Sequence, residues 1–392
     1  ACYALRKSRD YRVDEVSLPS VVSMDVIALS ANDTTAFSKF PWHIYAGDPQ
    51  WVPPVLVERK AFLNPRKNPF FCHAQVQLFL ARRRGKPLGR IAAVINQAHD
   101  DYYHERAGFF GLFECVNDAE VAAALLEEAT AWVRERGATF LRGPVNFSTN
   151  ELDCGLLIEG FDSPPVFQSS YNPPYYASLI EAYGFAKCKD LLAFMRQADQ
   201  PPSERLEQVA KRVRARGKVT VRPINMRKFR DEVLLITDIY NDAWSANWGF
   251  VPTTEAEARH MATALRLAVV RDLILLAEFN GEPVGCFVAL PNLNPALRCL
   301  NGRLTPWGLA RFFYHRRRID TVRVAMMGVR KRYRRLGIDV LFYTEILPRV
   351  LKRGFMYGEL AWILEDNSLM IHALEDIEAY AYKRYRLYQK DV

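Results

Sequence analysis

Five cations crowd six positions: Arg330, Lys331, Arg332, Arg334 and Arg335. An apolar, strand-like run at 322–329 precedes them, and Gly337 and a helix-periodic stretch beginning at Ile338 follow. A strand that feeds a glycine-bearing turn opening a helix leaves backbone N–H groups unpaired at the helix start. Those groups and the helix dipole attract an anion. Guanidinium and ammonium groups around such a seat suit a polyanion such as a pyrophosphate. The competing reading is a solvated basic turn. Two further stretches carry ligand-type groups. Asn146, Ser148, Asn150, Glu151 and Asp153 follow a predicted strand at 139–142, at the carboxyl end of a sheet where ligand groups gather or where Asx turns simply cap the chain. Tyr240, Trp244 and Trp248 fall at i, i+4 and i+8 of a predicted helix with Asn241 and Asn247 beside them, a core stripe or a mixed apolar–polar pocket.

Composition bounds the partners. The chain has 392 residues, 49% hydrophobic and 25% charged, ordinary for soluble globular proteins and long enough for two domains. A net charge of +9 and a pI near 9.1 favour an anionic partner: a CoA ester, an anionic membrane surface or nucleic acid. No recognised nucleic-acid module surrounds the basic residues, so nucleic acid is not expected. No apolar run approaches the ~20 residues that span a bilayer. Seven cysteines without CxxC spacing predict reduced thiols in a cytoplasmic protein, and the absence of an HExxH or HxxH pair predicts no metal. Trp307, Leu309, Phe312, Phe313 and Tyr314 among arginines at 303–318 predict a short basic, aromatic helix, either buried at one face or lying on an anionic membrane.

The elements that must position these residues occur twice. Hairpins are predicted at 74–81/88–95 and 273–278/284–290, the second turning on Asn280-Gly281. Each is followed by a strand, a long amphipathic helix and another strand. A proline-rich break at 197–203 separates the halves. The expected organisation is a loose tail at 1–20, one domain at 21–200 and another at 201–392. The first half carries Glu114-Cys-Val-Asn-Asp118 where the second has its cationic turn. Like charge repels phosphate, so only the second half is expected to seat one.

The segment Arg334-x-x-Gly337-x-Asp339 resembles motif A of the GNAT acyltransferases, with an aspartate in place of the last small residue. The strand at 357–364, the helix opened by Asn367 and the closing strand at 382–388 extend the likeness over 219–392. Gly108-Phe-Phe-Gly-Leu-Phe-Glu114, Gly143-Pro-Val-Asn-Phe-Ser148, Trp244-x-x-Asn-Trp-Gly-Phe250 and Trp362-Ile-Leu-Glu-Asp-Asn367 look like a bacterial group of long GNAT proteins that includes the ceramide synthases, over 20–390.

That resemblance implies an α/β mixed-sheet fold of two tandem GNAT-like domains, the first degenerate and shaping the acceptor site. It implies transfer of a long acyl chain from acyl-CoA, or a carrier-protein thioester, to the amine of a sphingoid base. Met327, Val329, Arg330, Arg334, Arg335, Gly337, Ile338 and Asn367 would then hold the donor, with a strand amide near Met327–Val329 polarising the thioester carbonyl. Glu365, or Glu359, would take the ammonium proton. The tyrosine that often serves the departing thiolate is replaced by Leu374, which leaves Tyr382 or Tyr385, or water. Asn146, Ser148, Asn150, Glu151, Trp244, Asn247 and Trp248 would face the acceptor. A small-amine or aminoacyl N-acetyltransferase and a non-catalytic acyl-CoA-binding protein remain alternatives.

Overall fold

The computed structural model describes residues 24–30, 33–148, 150, 153–266 and 268–392. The expected tail at 1–20 and Glu151 lie outside the described residues. The described residues form one mixed sheet of thirteen strands. The first half contributes β1 (Met24–Leu29), β2 (Ala74–Arg83), β3 (Lys86–Asn96), β4 (Ala107–Cys115), β5 (Phe140–Gly143), β6 (Leu156–Glu159) and β7 (Ala186–Gln197). The second contributes β8 (Val219–Pro223), β9 (Ile274–Phe279), β10 (Glu282–Pro291), β11 (Thr321–Val329), β12 (Tyr357–Leu364) and β13 (Tyr380–Asp391). Their order is β1-β2-β3-β4-β5-β13-β7-β12-β11-β10-β9-β8, with β6 pairing β13 off this path. The expected mixed α/β sheet with a repeated unit is therefore present.

The two halves exchange their last strands. β7 lies antiparallel between β12 and β13, pairing Met195 with Glu359. β13 lies antiparallel between β7 and β5, pairing Tyr388 with Gly143. The break at 197–203 thus divides the chain but not the sheet.

One long helix covers each half. In Ala119–Arg134, Val121, Leu125, Ala129 and Val133 recur at helical spacing, and all are fully buried. In Ile338–Lys352, Ile338, Leu341, Phe342 and Ile346 do the same. Beside each helix, two parallel strands pair briefly and then part. β4 and β5 pair only at Ala107–Phe109 with Phe140–Arg142, and β11 and β12 only at Thr321–Val324 with Tyr357–Leu360.

In the first half the chain itself closes this gap. Val145 N donates to Phe110 O at 2.7 Å, and Leu112 N donates to Asn146 Oδ1 at 2.8 Å. Gly111 permits the approach, since a Cβ there would lie 2.0 Å from Val145 O. The helix start is closed as well: the Asp118 carboxylate accepts Glu120 N at 3.0 Å and Val121 N at 3.4 Å. That cap and plug, more than repulsion by Glu114, leave no anion seat there.

The exchange predicts that residues 1–200 and 201–392 produced separately lack cooperative thermal unfolding, because each sheet misses an internal strand. Mixing them restores a single transition, measured by circular dichroism. Cooperative melting of either piece alone contradicts the exchange.

Candidate active site

The second gap stays open. Beyond Val324 and Leu360, β11 continues on β10 while β12 continues on β7. Arg330 N bonds Val284 O at 2.8 Å, with Val329 opposite Gly285. Antiparallel alternation therefore turns the amides of Met327 and Val329 away from β10, toward the gap. The Trp244 ring lies against this segment. A Cβ on Gly328 would come within 2.0 Å of it, so only glycine lets the ring reach the strand.

At the end of β11 the helix Ile338–Lys352 starts on Gly337, at φ +75°, and no side chain caps its first N–H groups. Leu336, Gly337 and Ile338 offer no acceptor to those amides as Asp118 does, and Asp339 in the first turn does not cap them either, so the helix start is left open. Its cations are distributed unevenly. Arg330 pairs with Asp238 at 2.6 Å, and Arg334 turns back on the Ala243 carbonyl. Lys331 N donates to Asp242 Oδ2 at 2.9 Å. Arg335 is exposed beside Gly337. Asn367 caps the helix Ser368–Glu375, accepting Met370 N at 3.2 Å.

Three cavities surround the gap. On the helix face, one of about 150 Å³ runs between Ile338–Lys352 and Ser368–Glu375, lined by Val324, Met327, Tyr343, Leu360 and Met370. The Tyr343 hydroxyl is buried there without a hydrogen-bond partner. On the opposite face an apolar cavity of about 280 Å³ is walled by Val233, Tyr240, Trp244, Met261, Met326 and Trp362. A third, about 440 Å³ and more polar, is lined by Arg59, Arg90, Glu114, Asp153, Gln168 and Ser170. Leu265 lines both of the latter, so they abut.

The acceptor-side residues expected from the sequence divide into walls and braces. Trp244, Asn247 and Trp248 line the apolar cavity. Trp248 is not on the helix with Tyr240 and Trp244, however: Phe229–Trp244 ends there, and the chain turns through Gly249 at φ +74°. Asn150 also lines that cavity, but its amide is fully engaged by Val251 O, Thr253 Oγ1 and Tyr240 Oη. Asn146 lines the polar cavity with both ends bonded, to Leu112 N and Asp153 O. Ser148 is buried and accepts Asn150 N at 3.1 Å. Glu365 stands apart from the cavities: one oxygen bonds Lys187 Nζ at 2.6 Å and the other accepts Asp190 N at 3.0 Å.

Glu359 occupies the apex of the gap. In register with it, Arg323 approaches at 3.6 Å, and both side chains are fully buried. Tyr382 donates to Glu359 Oε1, and Arg323 donates to Phe167 O at 2.9 Å and Ser169 Oγ at 2.7 Å. Burial lifts the Glu359 carboxyl above its ordinary range, against the opposing pull of Arg323 and the Tyr382 hydroxyl. Burial likewise raises Tyr385 and keeps it protonated. The Trp362 indole packs on Tyr385, ring centroids 5.7 Å apart, with Arg323 5.4 Å from the Trp362 ring. Trp362 Nε1, Tyr385 Oη and Glu359 Oε2 are buried without hydrogen-bond partners. Such a convergence of unsatisfied polar atoms marks a place for a polar ligand or water. Arg323 and Trp362 were missed as site residues, whereas Tyr382 was expected as one of two tyrosines near the departing thiolate. A lone arginine inside the apolar strand Thr-Val-Arg-Val-Ala was the available signal, because burying its charge requires a partner.

The chain is similar to known proteins in sequence and in fold. No protein-family model matches the chain. It is 39% identical over 371 residues to protein YghO of Escherichia coli, covering 93% of this chain and 94% of that protein. It is 38% identical over 364 residues to the bacterial ceramide synthase of Caulobacter vibrioides, covering 90% and 94%. The chain belongs to the family of the bacterial ceramide synthase. Its fold matches a tandem GNAT protein from the clavulanic acid biosynthesis pathway, with TM-score 0.56 at 13% identity over 94% of this chain and 98% of that one. A GCN5-related N-acetyltransferase from Sphaerobacter thermophilus matches with TM-score 0.50 at 15% identity, covering 94% and 95%.

A contact between halves anchors the helix that walls the apolar cavity. His73 Nε2 meets Glu257 Oε1 at 3.0 Å, joining the first half to the helix Glu255–Leu265 whose Met261 lines that cavity. The Glu257 hydrogen bond raises the His73 pKa against its burial. Burial pushes Glu257 up, but His73 and Thr254 outweigh it and hold it low. The stabilisation from His73 is complete below its unfolded pKa and disappears as pH rises through its raised folded value. That from Glu257 disappears as pH falls through its depressed value. Thermal melts from pH 5.5 to 8.5 should show wild type losing up to about 1 kcal/mol relative to His73→Gln as pH rises. Parallel profiles contradict the coupling.

Proposed function

We propose that this acyltransferase moves a long acyl chain from a thioester, acyl-CoA in the simplest case, to the primary amine of a sphingoid base, giving a ceramide-type amide. The observation that carries this reading is the open gap between β11 and β12 beside an uncapped helix N-terminus. The phosphates would lie at Gly337, Ile338 and Arg335, and the pantetheine arm in the narrow cavity with Tyr343. The thioester carbonyl would accept from the amide of Met327 or Val329. The amine nitrogen attacks that carbonyl carbon, the C–N bond forms and the C–S bond breaks. The ammonium gives up two protons in all: one is released and one ends on the thiol. Glu359, with its raised proton affinity, takes the first, and Tyr385 and Trp362 donate hydrogen bonds to the polar end of the acceptor. The large apolar cavity on the acceptor face favours a lipid amine over a small one. The first half supplies the polar cavity and its Glu114–Arg90 pair rather than a second donor site.

A lipid acceptor must be met at a bilayer, and the helix Pro306–Arg316 suits that contact. Trp307 is 83% exposed, Phe313 54% and Tyr314 52%, with Arg311, Arg317 and Arg318 exposed around them. Its buried residue Phe312 lines the polar cavity, so the outer face borders an entrance. Such an apolar, cationic face binds anionic lipid at the interface. Among the described residues, no helix is long and apolar enough to cross a membrane.

Incubation with palmitoyl-CoA and sphinganine should yield the N-acyl product by mass spectrometry. Glu359→Gln should lower kcat by about 100-fold or more, with melting checked separately because Arg323 then loses its buried partner. Product from acetyl-CoA and small amines alone would overturn the lipid reading. Trp307→Ala with Phe313→Ala should abolish co-flotation with vesicles containing phosphatidylglycerol. Unchanged flotation contradicts the membrane role.

A further inference from the structure

The helix Glu204–Ala215 lies directly against the donor end of the site. Val209 and Val213 meet Gly337, Val213 packs with Leu341, and Arg214 bonds Glu345 at 3.0 Å. Arg205, Lys211, Arg212 and Arg216 project from this element or its end, all exposed. The adjoining turn adds exposed Lys331, Arg332 and Arg335. A 12-residue helix is about 18 Å long, so this positive surface extends well past the footprint of one phosphate group. The opposing carboxylates are Glu204 and Glu207 in the first turn of that helix, Asp339, and four that already hold partners: Glu345 on Arg214, Asp238 on Arg330, Asp242 on the Lys331 amide and Glu282 on Tyr333.

The phosphate seat itself is weak for a pyrophosphate. Arg330 and Arg334 are already engaged, by the Asp238 carboxylate and the Ala243 carbonyl. Asp339 places a carboxylate in the first turn of the receiving helix, where a doubly charged group would be repelled. A phosphodiester carries one charge and meets less repulsion there. Taken together, a modest local seat and a broad cationic surround fit a phosphopantetheine arm on a large acidic carrier.

We infer that the acyl donor is delivered by an acidic acyl carrier protein, whose carboxylates dock on the Arg205, Lys211, Arg212 and Arg216 face while its arm enters beside Met327. This rests on the proposed acyltransfer and names its donor. The class of reaction supplying that donor is fatty-acyl loading of a carrier thiol.

The test compares palmitoylated holo-acyl carrier protein with palmitoyl-CoA as donors to sphinganine. At low salt, kcat/KM for the carrier donor should exceed that for palmitoyl-CoA by about tenfold and fall as ionic strength rises. The triple variant Lys211→Glu, Arg212→Glu, Arg216→Glu should raise KM for the carrier donor about tenfold with kcat kept, and leave palmitoyl-CoA kinetics within about twofold. Palmitoyl-CoA used as well as the carrier donor, or equal loss with both, overturns the inference. Product from neither donor overturns the acyltransfer reading itself.

Discussion

The structure depends on two parallel strands that stop pairing. β11 and β12 share register for four residues, Thr321–Val324 against Tyr357–Leu360, and then each follows a different neighbour. Backbone amides left unpaired inside a protein are costly, and the proposed thioester would offset that cost in this gap. The first half shows what happens otherwise. Residues 143–147 fold into the equivalent gap and satisfy the Phe110 carbonyl and the Leu112 amide. One repeat fills its gap with its own chain, and the other leaves it open.

Two features hold the open gap apart. β7 and β13, each borrowed from the opposite half, fix the outer edge of β12 and β5. At the apex, Arg323 and Glu359 are buried together, and losing either partner of such a pair costs about 3–5 kcal/mol. Tyr382, on the strand at the seam, ties this pair to β13. Glu359 Oε2 then faces Arg323 Nε at 3.6 Å without a hydrogen bond, and the hydroxyl of Tyr385 is buried without one. The elements that keep the gap open are thus the ones that leave polar atoms for an acceptor.

Much of this was legible in the sequence because it is local. Hydrophobic alternation placed the hairpins at 74–81/88–95 and 273–278/284–290, within a few residues of the observed 74–83/86–96 and 274–279/282–291, and the strand, turn and helix around Gly337 follow from a run of apolar, cationic and helical residues. The exchange of β7 and β13 was not legible, since strand patterning records which residues are buried and not which strand lies alongside. Side-chain partners far away in the chain were hidden for the same reason. Glu365 is bound to Lys187, 178 residues away, and Asn150 to Val251 and Tyr240. Leu374, where the family often has tyrosine, packs in an apolar cluster with Phe194 and Ala379. Cys154 lines the apolar cavity, yet burial raises its thiol, so it offers no thiolate nucleophile.

The most direct test of the account is a crystal structure with a non-hydrolysable acyl-CoA thioether analogue bound. The account predicts its carbonyl oxygen within hydrogen-bonding distance, about 2.7–3.2 Å, of the Met327 or Val329 amide. Its phosphates should lie on the amides that follow Gly337. An analogue bound in the first half, or a gap between β11 and β12 closed by side chains with the analogue elsewhere, would contradict it.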